Sequence, residues 1–322
     1  MTVVGFHASH EQVHPRDLLT AVADAEAAGF AAGMCSDHFT PWSERQGESG
    51  FAWSWLGAAL ATTDLGFGVV NAPGQRYHPA IVAQAAATLA AMFPGRFWVA
   101  LGSGEASNEH ITGDRWPRKD LRVQRLHECV EVMRALFAGE EVSHDGLVHV
   151  DRARLWTLPD EPPPLLGASV SPASAARAAA WADGLITVNQ PVDVLRQVVD
   201  AFRDAGGTGP IHLQVHVSWA PDEDEALAIA HDQWRANAIG PPLSWDLETV
   251  EHFDVAAKQV EPEDMRESVL VSSDPKQHLA WLQELADLGF DGLYLHHVGK
   301  VQQPFIDVFG EHVLPELQRS GA

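Results

Sequence analysis

The chain is poor in cysteine and in basic residues. Its 322 residues include two cysteines, Cys35 and Cys129, which make neither a disulfide framework nor a set of zinc ligands. The 21 basic residues are outnumbered by 44 acidic ones, which leaves a net charge of -23. Because nucleic acids and anionic membranes attract proteins with a basic surface, this charge argues against either one as the main partner.

Long hydrophobic runs are also missing. The longest mostly apolar run, Ala80 to Phe93, has 14 residues, includes Gln84 and is too short to cross a bilayer. The first residues show neither a basic start nor an apolar stretch of signal-peptide length. With 46% hydrophobic and 20% charged residues the composition is that of a globular protein. We therefore expect a soluble protein of the cytoplasm.

Short β-rich runs alternate with longer helical patterns along the whole sequence. A typical helical pattern begins at Pro15 and is closed by Gly29. Strands that alternate with helices indicate a parallel sheet, and eight such units favour a closed (β/α)8 TIM barrel over an open sheet. No linker divides the chain, so we predict one domain over residues 1–322. The eight predicted strands are Val3–Ala8, Gly33–Ser36, Leu65–Val70, Phe97–Leu101, Leu165–Ala168, Gly184–Val188, Ile211–Ser218 and Gly292–Val298.

Three segments interrupt the alternation: residues 39–62, 139–163 and 237–262. The second contains Asp145-Gly146 between two β-rich runs, which predicts a hairpin. The first and third have no regular period and are too long for ordinary connections. Loops that follow barrel strands build the active site, so we expect these two insertions to wall a pocket at the C-terminal mouth.

Chemically useful side chains follow two of the predicted strands. Asp37 and His38 end the second strand, and imidazole titrates near neutrality, which suits an acid or base. The alternative is that His38 makes a structural hydrogen bond only. Gly102-Ser103-Gly104-Glu105 follows the fourth strand, and its glycines would let a flat ring or a phosphate approach the backbone. Ser107 stands where a third glycine would be, which argues against a dinucleotide-binding Rossmann motif.

The pattern does not predict a metal site or a covalent nucleophile. His212 and His216 share one face of the seventh strand, but four strand steps separate them by about 13 Å. His296 and His297 are neighbours on a strand and point to opposite faces. No Gly-x-Ser-x-Gly elbow is present, and neither cysteine belongs to a redox pair. Trp53 and Trp55 in the first insertion are predicted to be core residues, whereas Trp42 lies closer to the proposed site.

Four segments together resemble a known family: Gly5 to Gln12, Ser36 to Trp42, Arg76 to Ala80 and Gly102 to Glu109. They resemble the bacterial-luciferase-like flavin oxidoreductases and, within them, the deazaflavin (coenzyme F-420) dependent glucose-6-phosphate dehydrogenases. The segments 46–47, 53–55 and 93–98 are similar to a side branch described as probable non-F-420 flavinoid oxidoreductases. The resemblance covers nearly the whole chain.

The resemblance implies a barrel with a flavin across its C-terminal mouth. It implies that His38 is the acid/base on the substrate, that Glu105 serves proton or charge chemistry at the ring, and that Glu11 and Trp42 line the substrate pocket. It also implies a non-proline cis peptide at Val69-Val70. The residues expected to contact the cofactor are Asp37, Val69, Val70, Asn71, Gly102, Ser103, Gly104, Asn108, Ser169, Val170 and Thr187.

The sequence also departs from the deazaflavin branch. Val170-Ser171 replaces a Gly-Gly pair near the cofactor phosphate, and Ala72 replaces a threonine that contacts the cofactor. Pro191 and Ser268 stand at about the places of the lysine and arginine that hold the sugar phosphate. A phosphate dianion binds poorly without cations, so glucose 6-phosphate is not the expected substrate. These departures lead us to expect FMN as the cofactor.

The sequence thus predicts an FMN-dependent oxidoreductase that performs hydride transfer or monooxygenation on a small organic substrate. One alternative is an alcohol or sugar dehydrogenase that keeps the deazaflavin. Another is a non-catalytic flavin-binding protein, which the loss of Asp37, His38 or Glu105 would favour, although all three are present. A flavin reductase is a candidate partner, and we expect a homodimer.

Overall fold

The computed structural model describes residues 2–320, and within them parallel strands alternate with helices. The bounds of the eight predicted strands agree with the structure to within one or two residues. Three more strands are present: the two strands of a hairpin in the second insertion and a two-residue strand shortly after the third insertion. The strands are β1 (Val3–Ala8), β2 (Ala32–Ser36), β3 (Gly66–Asn71), β4 (Phe97–Leu101), β5 (Val142–Asp145), β6 (His149–Ala153), β7 (Leu165–Ala168), β8 (Gly184–Val188), β9 (Ile211–Ser218), β10 (Leu270–Val271) and β11 (Gly292–His297).

Eight of these strands close into a parallel barrel, as the alternation of strands and helices predicts. The order is β1, β2, β3, β4, β7, β8, β9 and β11, and β11 pairs again with β1 through Val3 and Gly292. The long strand β9 pairs with β8 along its first half, and its last residues pair with β10 instead. The barrel is the (β/α)8 fold that eight units predict.

The helices cover the outside of the barrel. Proline stands at the first helical position in several of them, where its missing N–H costs no hydrogen bond. The first helix ends as predicted at Gly29, whose φ of 104° is accessible to glycine at little cost. The α-helices are Pro15–Ala28, Ala52–Thr62, Pro79–Met92, Ala106–Glu109, Lys119–Phe137, Pro172–Ala178, Val192–Asp204, Glu223–Trp234, Leu243–Asp246, Val250–Ala256, Pro275–Ala286, Gln303–His312 and Leu314–Ser320. Short 3-10 helices are His110–Thr112, Arg235–Ala238, Ala257–Gln259 and Pro262–Glu267.

Strand side chains alternate between the barrel interior and the helix layer. On β3, Phe67 and Val69 belong to the main core between strands and helices, whereas Val70 packs with the interior cluster. Gly68 leaves room for an interior tryptophan, since a Cβ there would lie 1.9 Å from the Trp98 ring. A second interior aromatic, Tyr294, packs edge-on against Trp98 at a centroid distance of 5.8 Å. The lower interior is therefore filled, and only the C-terminal mouth is open.

The three insertions differ in what they form. The predicted hairpin is confirmed as the antiparallel pair β5 and β6. Treating 39–62 as a loop throughout is wrong, because its second half is the helix Ala52–Thr62. That helix buries Trp53 and Trp55, as predicted. It is apolar on most of its surface, so the sequence lacks the alternation of polar and apolar faces that indicates a helix. The third insertion is a series of short helical turns between Arg235 and Glu267. Within residues 2–320, no helix has the length and apolarity needed to span a bilayer.

Candidate active site

A cavity of about 450 Å³ opens at the C-terminal mouth of the barrel. The ends of β1, β2, β3, β4, β7, β8 and β9 contribute to it, and the first and third insertions supply Trp42 and Phe253 as part of its wall. Of the site residues predicted from the sequence, those that line the cavity are Glu11, Asp37, His38, Trp42, Val70, Asn71, Gly102, Ser103, Gly104, Glu105, Asn108, Ser169, Val170 and Thr187.

Val69 is the exception, since it does not line the cavity, and its contact with a cofactor stays a prediction. Its side chain is fully buried in the outer core, because it precedes Val70 on the strand and so points to the opposite face. The predicted cis peptide is wrong. Within residues 2–320 the cis bond is Pro241-Pro242, so Val69-Val70 is trans. A trans bond keeps β3 in regular register with both neighbours, where Val69 pairs with Cys35 and Val99.

A short polar contact in the cavity joins Glu11 and His38. The carboxylate Oε1 of Glu11 lies 2.6 Å from Nδ1 of His38, and the hydroxyl of Ser9 donates to the other carboxylate oxygen at 2.8 Å. Glu11 is 2% exposed. Nε2 of His38 makes no hydrogen bond within the described residues, so this nitrogen is available to a bound molecule.

The two groups shift each other's titration. Burial disfavours charge on Glu11, but the hydrogen bond and positive charge of His38 outweigh it and lower the pKa of Glu11 to about 2. Burial likewise lowers the pKa of His38, but the hydrogen bond and charge of Glu11, with the charge of Glu105, outweigh burial and raise that pKa above 6.5. Glu11 and His38 therefore form an ion pair, and the imidazole of His38 is more basic than a free one.

Glu105 is the second titrating group of the cavity. Burial is the main cause that raises its pKa; His38 opposes this, and the nearby carboxylates Glu109 and Glu11 add to it. Its Oε2 accepts a hydrogen bond of 3.4 Å from the amide of Asn108. A raised pKa favours the protonated form of the carboxyl, so the site contains one base and one potential acid.

Asn108 ties the loop of Glu105 to that of His38. Its Oδ1 accepts from the backbone N–H of Phe39 at 2.8 Å and of Thr40 at 3.4 Å, while its nitrogen donates to Glu105. Asn108, which the sequence predicts to contact the cofactor, thus uses its polar atoms for hydrogen bonds within the protein. These bonds fix the loop of Glu105 relative to the loop of His38, a role that the sequence motif did not indicate.

A buried charge cluster supports the end of β2. Asp37 Oδ2 accepts from Asn71 at 2.8 Å and from the Trp53 indole at 3.1 Å, and the Arg76 guanidinium donates to the Asp37 backbone oxygen at 2.6 Å. Glu109 Oε2 accepts from the Arg76 backbone N–H at 2.6 Å. Asp37 Oδ1 and Asn71 Oδ1 are buried and have no partner within the described residues. Both oxygens are also shielded from solvent, so this cluster supports Asp37 from within the protein.

Two cationic side chains, Lys119 and Arg177, also line the cavity. Other polar residues that line it are His127, Ser171 and Ser174. Burial lowers the pKa of Lys119, and the charges of Arg177 and Arg122 lower it further, which places these cations close together. Such a group suits a phosphate.

Sequence reasoning missed several lining residues. The interior face of the barrel contributes His7, Gln214 and His216, and the helix Glu223–Trp234 contributes Trp234. The alternation of strand residues could have found the first three, because each points inward near a strand's C-terminal end. Arg76 carried no local signal, since its partners lie about 30 to 40 positions away in the sequence.

Other proteins share this sequence pattern. A family described as luciferase-like monooxygenase matches residues 1–292. An F420-dependent glucose-6-phosphate dehydrogenase of Microbacterium testaceum is 33% identical, over 98% of this chain and 97% of its own. The enzyme of that name from Beutenbergia cavernae is 33% identical over 99% and 98%.

Solved structures share the fold. An F420-dependent secondary alcohol dehydrogenase, in complex with an F420-acetone adduct, superposes with a TM-score of 0.90 at 30% identity and covers 98% of both chains. A monooxygenase from Streptomyces bottropensis has a TM-score of 0.75 at 21% identity, covering 98% of this chain and 100% of its own. At that identity the second likeness shows the fold alone.

Proposed function

The chain belongs to the luciferase-like monooxygenase family of oxidoreductases, and from this premise we propose that it is a deazaflavin-dependent dehydrogenase of small, uncharged secondary alcohols. The observation that carries the proposal is the Glu11–His38 pair, with Glu11 buried and His38 partly exposed, which lines one cavity together with Glu105. The likeness to a secondary alcohol dehydrogenase over 98% of both chains supports the same chemistry.

The residues present fit a deazaflavin. Asp37 and Asn71 line the wall on which the polar edge of the ring would lie, and Lys119 with Arg177 would bind the phosphate. Gly102 leaves space at the wall, since a Cβ there would be no closer than 3.6 Å to another atom. When bound, the deazaflavin supplies a hydride acceptor.

His38 acts as the base in this scheme. If an alcohol is oxidised to a ketone here, its hydroxyl proton would pass to Nε2 of His38, while its carbon-bound hydrogen would leave as the hydride that a deazaflavin accepts. Glu11 stabilises the imidazolium that results, because its carboxylate lies 2.6 Å from the other ring nitrogen. Glu105, whose pKa is raised by burial, lines the same cavity.

The substrate end of the cavity favours an uncharged molecule. Trp42 packs edge-on against His38 with 5.2 Å between ring centroids, and Phe253 packs against Trp42 at the same distance. Pro191 and Ser268, at about the places of the sugar-phosphate cations in the glucose-6-phosphate dehydrogenases, lie instead at a separate cavity of about 260 Å³. A phosphorylated sugar would therefore lack a cation beside the apolar wall.

FMN is the second candidate cofactor. The observation in its favour is that Ala72, Val170 and Ser171, which depart from the deazaflavin branch, all line the cavity. We place the deazaflavin first because the dehydrogenases of Microbacterium testaceum and Beutenbergia cavernae, each 33% identical to this chain, are named for F420. With hydride taken from the alcohol, the predicted flavin reductase is unnecessary; the homodimer stays a prediction.

Titration of the purified apoprotein with each cofactor tests the choice. We expect the deazaflavin to bind at least tenfold more tightly than FMN, which corresponds to about 1.4 kcal/mol. Equal binding, or tighter binding of FMN, would overturn the proposed cofactor. Arg177→Met should weaken binding of the deazaflavin, whereas Arg134→Met on the outer helix Lys119–Phe137 serves as the matched control.

A further inference from the structure

A polar layer lies inside the barrel beneath the Glu11–His38 pair. It consists of His7, Gln12, Gln214, His216 and His296, all at most 8% exposed. The rings of His7 and His296 are stacked at 4.5 Å, and those of His216 and His296 meet edge-on at 5.4 Å. His7, Gln214 and His216 also line the cavity, so this layer forms its floor.

The hydrogen bonds of the layer fix the orientation of each group. The amide nitrogen of Gln12 donates to the backbone oxygen of Val298, which can only accept. Oε1 of Gln12 therefore faces Nε2 of His296, at 2.8 Å, and this ring nitrogen must be the donor. Nδ1 of a neutral His296 is then an acceptor, so the group 3.5 Å from it must be the amide nitrogen of Gln214.

The same amide nitrogen also donates to Nε2 of His216 at 3.2 Å. Both hydrogens of the Gln214 amide are consequently used within the floor. Its carbonyl oxygen has no donor among the described residues, and Gln214 lines the cavity. The floor thus presents an acceptor whose orientation is set by the ring nitrogens of His216 and His296 and which a donor on a bound molecule can satisfy.

The other properties of the floor restrict that donor to an uncharged group. Burial lowers the pKa of His7 to about 4 and that of His216 to about 3, so both rings are neutral at neutral pH. None of the five members of the floor is a carboxylate that could pair with a cation. Trp234 and Trp42 border the same space with aromatic faces, against which C–H groups pack well.

Resting on the proposed function, we propose that the carbonyl oxygen of Gln214 receives a second hydroxyl of the substrate. The substrate class is therefore an uncharged alcohol with at least two hydroxyl groups, such as a diol, a polyol or an unphosphorylated sugar. One hydroxyl reacts at His38, and another is held at the floor. A monofunctional alcohol would leave the Gln214 acceptor without a partner.

A matched substrate series tests this inference. Reduction of the bound deazaflavin is followed with 2-hexanol and with the hexanediols that carry the second hydroxyl on the third, fourth or fifth carbon. We expect at least one diol to exceed 2-hexanol in kcat/KM by about threefold to tenfold, the value of one neutral hydrogen bond. The diols are less hydrophobic, so nonspecific burial would give the reverse order. Turnover of 2-hexanol without any preference for a diol overturns the inference and leaves the proposed function standing.

The variant Gln214→Met keeps the side-chain length and removes the acceptor. The ratio between the preferred diol and 2-hexanol should fall to about one, while Gln124→Met, at an exposed glutamine, should keep the wild-type ratio. Binding can also be measured without turnover in the His38→Asn variant loaded with the deazaflavin. In this variant the preferred diol should quench tryptophan fluorescence at a lower concentration than 2-hexanol does. An unchanged ratio in Gln214→Met, or a loss of deazaflavin binding in its place, overturns the assignment. No turnover of any alcohol by the loaded wild type overturns both this inference and the proposed function.

Discussion

The Glu11–His38 pair makes a quantitative prediction about the pH dependence of alcohol oxidation. His38 must be neutral to accept a proton, so kcat/KM should rise as the pH passes through its raised pKa. Glu11→Gln keeps the shape of the side chain and removes the negative charge 2.6 Å from the imidazole. The charged form of His38 then loses its main stabilising partner, and the midpoint of the profile should move to lower pH.

The size of the shift follows from the burial of the pair. Glu11 is 2% exposed, so solvent screens its charge poorly. An opposite charge at hydrogen-bonding distance changes a pKa by about one to three units, and we expect the midpoint to fall by that amount. The plateau rate should fall too, because a less basic imidazole accepts the proton less readily.

The assay is kcat/KM for deazaflavin reduction between pH 5 and 10, with the wild type and Glu11→Gln measured in the same buffers. Glu128→Gln is the matched control, since Glu128 also contacts a histidine, His144 at 3.1 Å, but does so outside the cavity. Its profile should match that of the wild type. A midpoint that stays in place in Glu11→Gln, or that rises, would refute the assignment of His38 as the base.

Three further outcomes are expected. His38→Ala should lower kcat by about 10²- to 10⁴-fold while equilibrium titration shows unchanged deazaflavin affinity; near-full turnover would make His38 a structural residue. Gly68→Ala should lower the free energy of unfolding by about 1–3 kcal/mol in urea titrations, because its Cβ would overlap Trp98, whereas Gly240→Ala, in open space, should change little. Burial lowers the pKa of His10 to about 4, so its neutral form contributes stability that is complete above pH 6.5 and is lost as the pH falls through 4. In His10→Leu the unfolding free energy should therefore decline less between pH 7 and pH 5, and an identical decline would contradict this account.

The barrel could be predicted because its signals are local. Strand residues with β-rich composition, helix starts such as Pro15 and stops such as Gly29 all act within a few positions of the elements they bound. The helix Ala52–Thr62 escaped prediction because it is apolar on nearly every face and therefore lacks amphipathic contrast.

The site was predictable in part for a similar reason. His38 and Glu105 stand at strand ends, which a barrel brings together, and both face the cavity. A shift of one residue in strand register decides which of two adjacent side chains faces the barrel interior. Val70 faces the interior, whereas Val69 faces the helix layer. The partners of the Gln214 amide come from β9 and β11, which pair only when the barrel forms.

The central claim is that a secondary alcohol reduces a deazaflavin bound in this cavity. The most direct measurement is the absorbance of the oxidised deazaflavin under anaerobic conditions, with the protein, the cofactor and a hexanediol or 2-hexanol. The account predicts catalytic loss of that absorbance, with one ketone formed per cofactor reduced, and no reduction when FMN replaces the deazaflavin. Reduction of FMN by the same alcohols, or an unchanged deazaflavin spectrum in the presence of every alcohol, would contradict it.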